Sequence, residues 1–252
     1  MKDSTQRFTD HVADYVKYRP SYPLEVLQTL EQKAGLSSNK VIADIGSGTG
    51  IFTQQLLATG CKVQAVEPNA AMRAAAEELL GSHPAFTSVN ATAENTSLPD
   101  HSVDGITAGQ AFHWFDRLAT KFEFRRILRP KGFIALVWNN WQDDSSAFIN
   151  GYTKLLEDWG TDYQRISRTN IDDAAIRQFF HPRPFEKFNF QNHQTFDFDG
   201  LKGRLLSSSY TPQAGHPKHE PLLKGIQDLF EAHQIDDKII FNYKTTLYLC
   251  VG

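Results

Sequence analysis

Residues 43–50 read ADIGSGTG, and this stretch decides the fold class of the chain. It begins inside a short apolar run, Val41–Ile45, which is typical of a buried parallel strand. It precedes residues 51–59, whose apolar positions recur at helical spacing. Glycines in such a loop let the backbone turn tightly and let a ligand lie against main-chain N–H groups. The helix N-terminus adds a partial positive charge, so this strand–loop–helix unit predicts a ligand site.

Strands and helices continue to alternate after this loop. Four further strands are predicted, at Lys62–Val66, Phe86–Val89, Val103–Thr107 and Phe133–Trp138. Asn69 is placed to cap a helix that ends near Gly81, and another helix is expected over Arg117–Leu128. This regular alternation indicates parallel βαβ units, whose ligands bind at the carboxyl ends of the strands.

The remaining segments are expected to complete one domain that spans residues 1–252. Residues 1–40 are predicted to form a helical lid, and residues 141–185 a helical cap insertion with signals at Phe148–Trp159 and Ile171–Phe180. Residues 186–252 would supply strands at Phe185–Phe196 and Lys238–Val251, and helices near Leu201–Leu206 and Leu222–His233. The predicted fold class is α/β, a doubly wound, seven-stranded, mostly parallel sheet.

Composition excludes several classes of protein. Hydrophobic residues make up 40% and charged residues 22% of the 252 positions, as in ordinary globular chains, which excludes intrinsic disorder. The net charge of −3 and the lack of a basic stretch argue against a nucleic-acid partner. Two cysteines, Cys61 and Cys250, exclude a disulfide scaffold and a cysteine-based zinc site, and no metal is expected.

The chain has neither a signal-peptide pattern nor an apolar run of the ~18 residues that cross a bilayer. We therefore expect a cytoplasmic protein with no membrane partner. A monomer or a weak homodimer is the expected assembly.

The spacing of the glycines separates ligand classes. A dinucleotide-binding G-x-G-x-x-G loop would place its third glycine at residue 51, which is Ile51. A phosphate-binding P-loop is excluded because no Gly-Lys-Ser/Thr follows. The G-x-G-x-G pattern of Gly46, Gly48 and Gly50 resembles the first motif of class I S-adenosylmethionine (SAM)-dependent methyltransferases.

This resemblance implies a Rossmann-like fold in which the last strand is antiparallel. Residues 41–140 would then be the SAM-binding core. The implied cofactor is SAM and the implied product is S-adenosylhomocysteine (SAH).

A carboxylate stands where the second strand ends. Glu67 can accept hydrogen bonds from both ribose hydroxyls of a nucleoside, and Pro68 and Asn69 follow it as a strand end and helix cap. The stretch NATAEN, residues 90–95, resembles the adenine-binding segment of class I methyltransferases. By that resemblance Ala93 and Glu94 would meet the adenine ring. Met72 would pack on the adenine or belong to the helix core, and the sequence leaves both interpretations open.

The resemblance extends to the type 11 group and to small-molecule methyltransferases related to trans-aconitate methyltransferase. It is carried by SVDGI (102–106), GQAFHWFD (109–116), RILRPKG (126–132), YVKYRPSYP (15–23), SSSYTP (207–212) and YKTTLYL (243–249). One departure is Lys131, which stands at the first glycine of the group's L-K-P-G-G turn. The implied activity is methyl transfer to a small-molecule acceptor such as a carboxylate or a hydroxyl.

Alternative functions also fit the sequence. One is a methyltransferase acting on nucleic acid or protein, although no Asn/Asp-Pro-Pro-Tyr/Phe motif follows the fourth strand. Another is a protein that binds SAM or SAH without catalysis. A nicotinamide oxidoreductase is the weakest alternative, because of Ile51.

The expected site has a cofactor part and an acceptor part. The predicted cofactor-binding residues are Arg19, Asp44, Gly46, Ser47, Gly48, Gly50, Glu67, Pro68, Met72, Ala93, Glu94, Gln110, Ala111 and Phe112. Arg19 would pair with the methionine carboxylate of SAM, or is a surface arginine. The predicted acceptor pocket contains His113, Trp114 and Trp138. His113 would be a proton acceptor or part of the pocket wall. We favour the wall, since positioning alone can supply ~7–11 kcal/mol.

Residues of the expected cap are open to two interpretations. Its aromatic side chains would be helix core more often than a substrate box: Trp141, Phe148, Tyr152, Trp159 and Tyr163. Arg165, Arg168 and Arg177 would recognise an acidic substrate or form a solvated face.

Overall fold

The structure, a computed structural model, describes residues 12–141, 146–161, 163 and 172–252. Its first elements are α1 (Val12–Tyr18), α2 (Leu24–Ala34), β1 (Val41–Ile45), α3 (Ile51–Ala58), β2 (Lys62–Val66), α4 (Ala70–Leu80), β3 (Phe86–Val89) and β4 (Val103–Gly109). They are followed by a 3₁₀ turn (Phe112–Trp114), α5 (Arg117–Ile127), β5 (Leu128–Asn140), α6 (Ala147–Trp159), α7 (Asp173–Phe180), β6 (Glu186–Phe196), α8 (Phe198–Leu206), α9 (His219–His233) and β7 (Ile239–Val251).

These strands form one seven-stranded sheet in the order β3-β2-β1-β4-β5-β7-β6. Strands β1 to β5 pair in parallel. The last strand, β7, inserts between β5 and β6 and is antiparallel to both. The predicted fold class and the antiparallel last strand are confirmed.

The fifth strand is longer than the predicted Phe133–Trp138. It begins at Leu128, which pairs with Val103, and the register shifts before Gly105 pairs with Phe133. Lys131 lies in this irregular part with φ +64°, a backbone conformation that glycine adopts most easily. Lys131 therefore keeps the backbone geometry of the glycine that it replaces.

Apolar side chains cover both faces of the sheet. Helices α2 and α3 bury Leu30 and Leu56 against one face. Helices α5 and α7 bury Phe124 and Phe179 against the other. Both cysteines are buried and free, as expected for small apolar side chains.

A third apolar cluster lies beyond the carboxyl end of β5. The pairing of β5 with β7 ends at Asn140 and Lys244, whereas β6 and β7 continue together to Phe196 and Ile239. Helices α6, α8 and α9 contribute their apolar side chains to the cluster formed with this extension. It contains Phe148, Tyr152 and Tyr163, which confirms their interpretation as core.

Several predictions fall on residues outside the described ranges. Residues 1–11 of the expected lid, Arg165 and Arg168 are among them, and α7 is described only from Asp173, after its cap Asp172. The division of the chain into lid, core, cap and C-terminal part stays a prediction. Within the described ranges, no helix combines the length and apolar character needed to cross a membrane.

Candidate functional site

Two adjoining cavities lie where the parallel strands end. The larger, here the Glu67 cavity, has a volume of about 140 Å³. It is lined by Tyr15, Gly46, Gly48, Glu67, Pro68, Asn69, Met72, Thr92, Ala93, Glu94, Gly109, Gln110, Ala111, Trp114 and Phe115. The smaller, here the Asp44 cavity, has a volume of about 40 Å³. It is lined by Tyr15, Arg19, Pro20, Tyr22, Asp44, Gly46, Ser47, Gly48, Thr49, Ile51, Phe52, Gly109 and Gln110.

The glycine loop forms the boundary that both cavities share. Gly46 has φ +66°, and a Cβ added to it would lie 2.5 Å from the Cβ of Ala111, so no larger residue fits. Gly48 also has a positive φ, +56°, but nothing lies within 4 Å of its added Cβ. The loop is held to β2 because the N–H groups of Gly46 and Ser47 donate to the carbonyl oxygen of Val66, at 2.8 and 3.2 Å. A ligand can therefore approach the backbone at Gly48.

Gly50 has a different role from the one predicted. It lines neither cavity, and its added Cβ would lie 2.8 Å from Cδ1 of Leu80. With φ +88° it begins α3 and lets this helix pack closely on α4. Its predicted place in the cofactor site is corrected to a packing role.

Glu67 joins the glycine loop to the end of β2. Its Oε2 accepts from the N–H of Gly48 at 3.0 Å, and its Oε1 accepts from the N–H of Asn69 at 2.8 Å. Burial raises the pKa of the Glu67 carboxyl. Each carboxylate oxygen can accept about two hydrogen bonds, so each retains one acceptor position toward the cavity. The group has the chemistry needed to hold two neighbouring hydroxyls.

Asp44 is the buried acid of the smaller cavity. It accepts hydrogen bonds from the hydroxyls of Thr53 (2.7 Å) and Thr107 (2.8 Å). Burial raises the pKa of Asp44 to about 6. Thr49 lines the same cavity, and its buried hydroxyl has no hydrogen-bond partner among the described residues. A polar ligand group in this cavity would satisfy that hydroxyl.

Gln110 and Ala111 close the site at the end of β4. Gln110 has φ +55°, a conformation that costs a non-glycine residue ~1–3 kcal/mol. It is held there because its backbone N–H donates to Val137 and its side-chain amide donates to Asn139, both at 2.9 Å. The strained residue lines both cavities, as expected of a functional position.

The expected adenine-binding residues line the Glu67 cavity. Ala93 is buried, and Glu94 accepts a hydrogen bond from the N–H of Asp116 at 2.9 Å, which ties this loop to the start of α5. Met72 is buried in α4 and still lines the cavity, so both interpretations of it hold.

The acceptor residues divide between cavity and core. Trp114 lines the Glu67 cavity. Phe112 and Trp138 do not line either cavity, because both belong to the core beneath α5 and α7 with ring centroids 6.3 Å apart. Their predicted places, in the cofactor site and the acceptor pocket, are wrong. Ala111 and Trp114 lie on either side of Phe112 in sequence, and the intervening 3₁₀ turn directs Phe112 into the core.

His113 packs against its neighbour rather than opening into a cavity. Its ring lies 4.7 Å from that of Trp114, and burial lowers the pKa of His113 to about 4. The imidazole is therefore neutral at pH 7 and a weak proton acceptor. The geometry favours the wall interpretation.

A segment that the sequence marked only in part lies across both cavities. Tyr15 lines both of them, and Tyr22 packs on Phe52 with centroids 4.7 Å apart. The backbone of Tyr22 exchanges two hydrogen bonds with the side chain of Gln55. The amides of Asn139 and Asn192 both donate to the carbonyl of Ser21, at 3.2 and 2.8 Å. The YVKYRPSYP motif is thus a strap, residues 15–23, held by side chains from distant parts of the chain.

Arg19 lies in this strap and borders the Asp44 cavity. Its Nη2 donates to the carbonyl of Ser207 at 2.9 Å and to Oγ of Ser208 at 3.2 Å. Its pairing with a methionine carboxylate stays a prediction. Arg177, by contrast, is exposed and lies on α7, which matches the solvated face. Among the residues described, no group of three or more His, Cys, Asp or Glu side chains is arranged to hold a metal ion.

Comparison with known proteins identifies the domain. Residues 43–136 match a family model described as Methyltransferase domain. The chain carries a class I methyltransferase domain. The family is SAM-dependent, and the glycine loop, Glu67 and the unpartnered hydroxyl of Thr49 fit a ligand of this kind.

Relatives of this methyltransferase domain are similar over part of their length. An uncharacterized methyltransferase of Mycobacterium bovis is 36% identical over 155 residues, which are 62% of this chain and 60% of that protein. A protein of Saccharomyces cerevisiae named as a probable S-adenosylmethionine-dependent methyltransferase is 30% identical over 158 residues, 60% of this chain and 53% of its own length. The match thus spans less than two thirds of these relatives.

A solved structure from Anaeromyxobacter dehalogenans shares the fold. Its TM-score is 0.61 at 23% identity, covering 93% of this chain and 96% of that one. The similarity therefore includes the strands and helices beyond residue 136.

Proposed function

We propose that this protein transfers the methyl group of SAM to a small-molecule acceptor and releases SAH. One observation carries the proposal: Glu67 and the backbone of Gly48 face a cavity at the carboxyl ends of the parallel strands, in the loop that ends with Gly50 rather than with a glycine at residue 51. This arrangement fits a nucleoside without a pyrophosphate.

The residues of the two cavities would divide the binding of the cofactor. Glu67 would hold the ribose hydroxyls, Met72, Ala93 and Glu94 would meet the adenine, and the loop from Gly46 to Thr49 would lie beside the methionine part. SAM supplies a methyl group already activated on a sulfonium. The protein's own contribution is orientation and exclusion of water, which the strap across both cavities supports.

The surroundings of the reacting end favour an acceptor that needs no strong base. His113 has a pKa of about 4 and packs on Trp114, so it accepts protons poorly at neutral pH. A carboxylate acceptor reacts without losing a proton, whereas a hydroxyl needs a base. We therefore propose a carboxylate ahead of a hydroxyl. A small acceptor also fits cavities of about 140 and 40 Å³ lined largely by apolar and neutral groups.

Detection of SAH formation tests the enzymatic proposal. Purified protein is incubated with methyl-labelled SAM and a panel of small acids and alcohols, with tRNA and a protein lysate as separate arms. The proposal predicts label in a small acid. Label in tRNA or protein alone would support the alternative methyltransferase, and SAM binding without transfer in any arm would support a non-catalytic binding protein.

The cellular location and the assembly also remain proposals. The free, buried thiols of Cys61 and Cys250 suit a reducing compartment, and we propose a cytoplasmic protein that is a monomer or a weak homodimer.

A further inference from the structure

Two arginines converge beside the strap. Arg204, on α8, is only 2% exposed, and its Nη1 donates to Oγ of Ser208 at 3.2 Å. Nη2 of Arg19 donates to the same oxygen, also at 3.2 Å. Two cationic groups that are far apart in sequence therefore share one neutral hydroxyl.

Neither arginine has a carboxylate partner among the described residues. None of the ion pairs between described side chains includes Arg19 or Arg204. The guanidinium of Arg204 instead lies over aromatic rings, 5.5 Å from the centroid of Phe241 and 5.8 Å from that of Trp141. Aromatic faces stabilise a cation but do not neutralise it. Buried charges in proteins are ordinarily paired, so this pair lacks an anion.

Unused hydrogen-bond donors lie in the same place. The Nε of Arg19 and the hydroxyl of Tyr152 are buried and have no hydrogen-bond partner among the described residues. Tyr152 is fully buried in α6, and its ring packs on Phe241, 5.1 Å away between centroids, which is also beneath Arg204. Burial, and then the positive charge of Arg204, lower the pKa of Arg19, which records the mutual repulsion.

A carboxylate is the anion that these donors suit. It presents two oxygens in a plane, and each accepts from guanidinium or hydroxyl donors. Arg19 also borders the Asp44 cavity beside Ser47 and Gly48, so the cluster adjoins the proposed cofactor site. An oxygen held by two guanidinium groups is a poor nucleophile, and the bound carboxylate is therefore an anchor separate from the atom that is methylated.

We propose that Arg19, Arg204, Tyr152 and Ser208 form a carboxylate-binding subsite for the methyl acceptor. The proposal rests on the proposed function for its placement beside the cofactor. The acceptor would be an organic acid whose anchoring carboxylate enters this subsite.

Calorimetric titration of the SAH-loaded protein tests the subsite. The probes are phenylacetate, glutarate and tricarballylate, each compared with its uncharged amide. We expect at least one acid to bind about tenfold or more tightly than its amide, as the loss of a charge-assisted hydrogen bond predicts. If no acid binds better than its amide, the proposal is overturned.

Variants assign the binding to these residues. Arg204→Lys keeps the charge but not the planar donor geometry and should weaken acid binding about tenfold. Tyr152→Phe removes only an unpartnered hydroxyl, so it should weaken acid binding several-fold without lowering the melting temperature. The control is Tyr248→Phe, whose hydroxyl donates to Asp173 at 2.6 Å and lies outside the subsite. Acid binding that is equal in the wild type and in both subsite variants would contradict the proposal.

A second pair of ligands separates the acceptor from the cofactor as the source of the carboxylate. SAH has a methionine-derived carboxylate, whereas 5′-methylthioadenosine lacks it. If Arg204→Lys weakens SAH but not methylthioadenosine, the arginine pair serves the cofactor and the acceptor subsite is wrong. If wild-type protein binds neither SAM nor SAH, the proposed function fails, and acid binding measured without SAH then decides the subsite independently.

Discussion

The backbone N–H of Gly48 donates to Oε2 of Glu67 at 3.0 Å, and this bond fixes the glycine loop against the end of β2. The second carboxylate oxygen is held by the N–H of Asn69, which caps α4. Glu67 is thus oriented by two main-chain donors before any ligand arrives. Preorganisation of this kind reduces the ordering cost of binding.

The first prediction concerns Glu67. Glu67→Ala should weaken SAM binding by roughly 1–3 kcal/mol, because two hydroxyl acceptors are lost. The measurement is calorimetric titration. Glu77→Ala is the control, since Glu77 lies on the neighbouring helix with an exposed side chain. Unchanged affinity in Glu67→Ala would refute the ribose role.

The second prediction distinguishes two glycines of the loop. Gly46→Ala should destabilise the fold, because its Cβ would lie 2.5 Å from that of Ala111. The double variant Gly46→Ala/Ala111→Gly should regain part of the loss. Gly48→Ala has no such clash, so it should keep more of the melting temperature while SAH affinity falls. Equal effects of Gly46→Ala and Gly48→Ala on melting and on binding would contradict this division.

The third prediction uses the titration of Asp44. Its folded-state pKa of about 6 lies above the usual value of 3.8, so the folded protein binds the proton more tightly than the unfolded chain does. Stability should therefore fall as pH rises from about 4 to about 6, by ~3 kcal/mol from this group. Asp44→Asn removes the titration, and its unfolding free energy should change less over this range than that of the wild type. Parallel pH profiles for the two proteins would rule out the raised pKa.

The fourth prediction concerns His113. We expect its imidazole to titrate near pH 4 in an NMR experiment that follows the ring protons, because burial disfavours the charged form. His113→Ala should leave SAH affinity unchanged, since the residue does not line either cavity. Titration near the ordinary value of 6.5 would show an exposed ring, and collapse of SAH binding would place His113 in the cofactor site.

Local sequence patterns predicted the elements that the backbone itself specifies. The strands at Val41–Ile45, Lys62–Val66 and Phe86–Val89 have the predicted bounds, because short apolar runs between turn residues become buried parallel strands. Asn69 caps α4 as expected, with its side chain accepting from the N–H of Met72. The start of β5 was missed because Pro130 and Gly132 read locally as a turn.

Features that depend on distant contacts could not be predicted. Gly50 looks like a ligand-binding glycine, but the approach of Leu80 determines its role. Phe112 and Trp138 follow strand ends as site residues do, yet the turn after Ala111 directs Phe112 into the core. Arg204 carries no local signal at all. It meets Arg19 only because α8 packs against the strap.

Titration of the wild-type protein with SAH and with NADH in a calorimeter tests the central claim most directly. The account predicts micromolar binding of SAH and no binding of NADH, because a loop that ends with Gly50 suits a nucleoside without a pyrophosphate. Binding of NADH, or no binding of SAH, would contradict it.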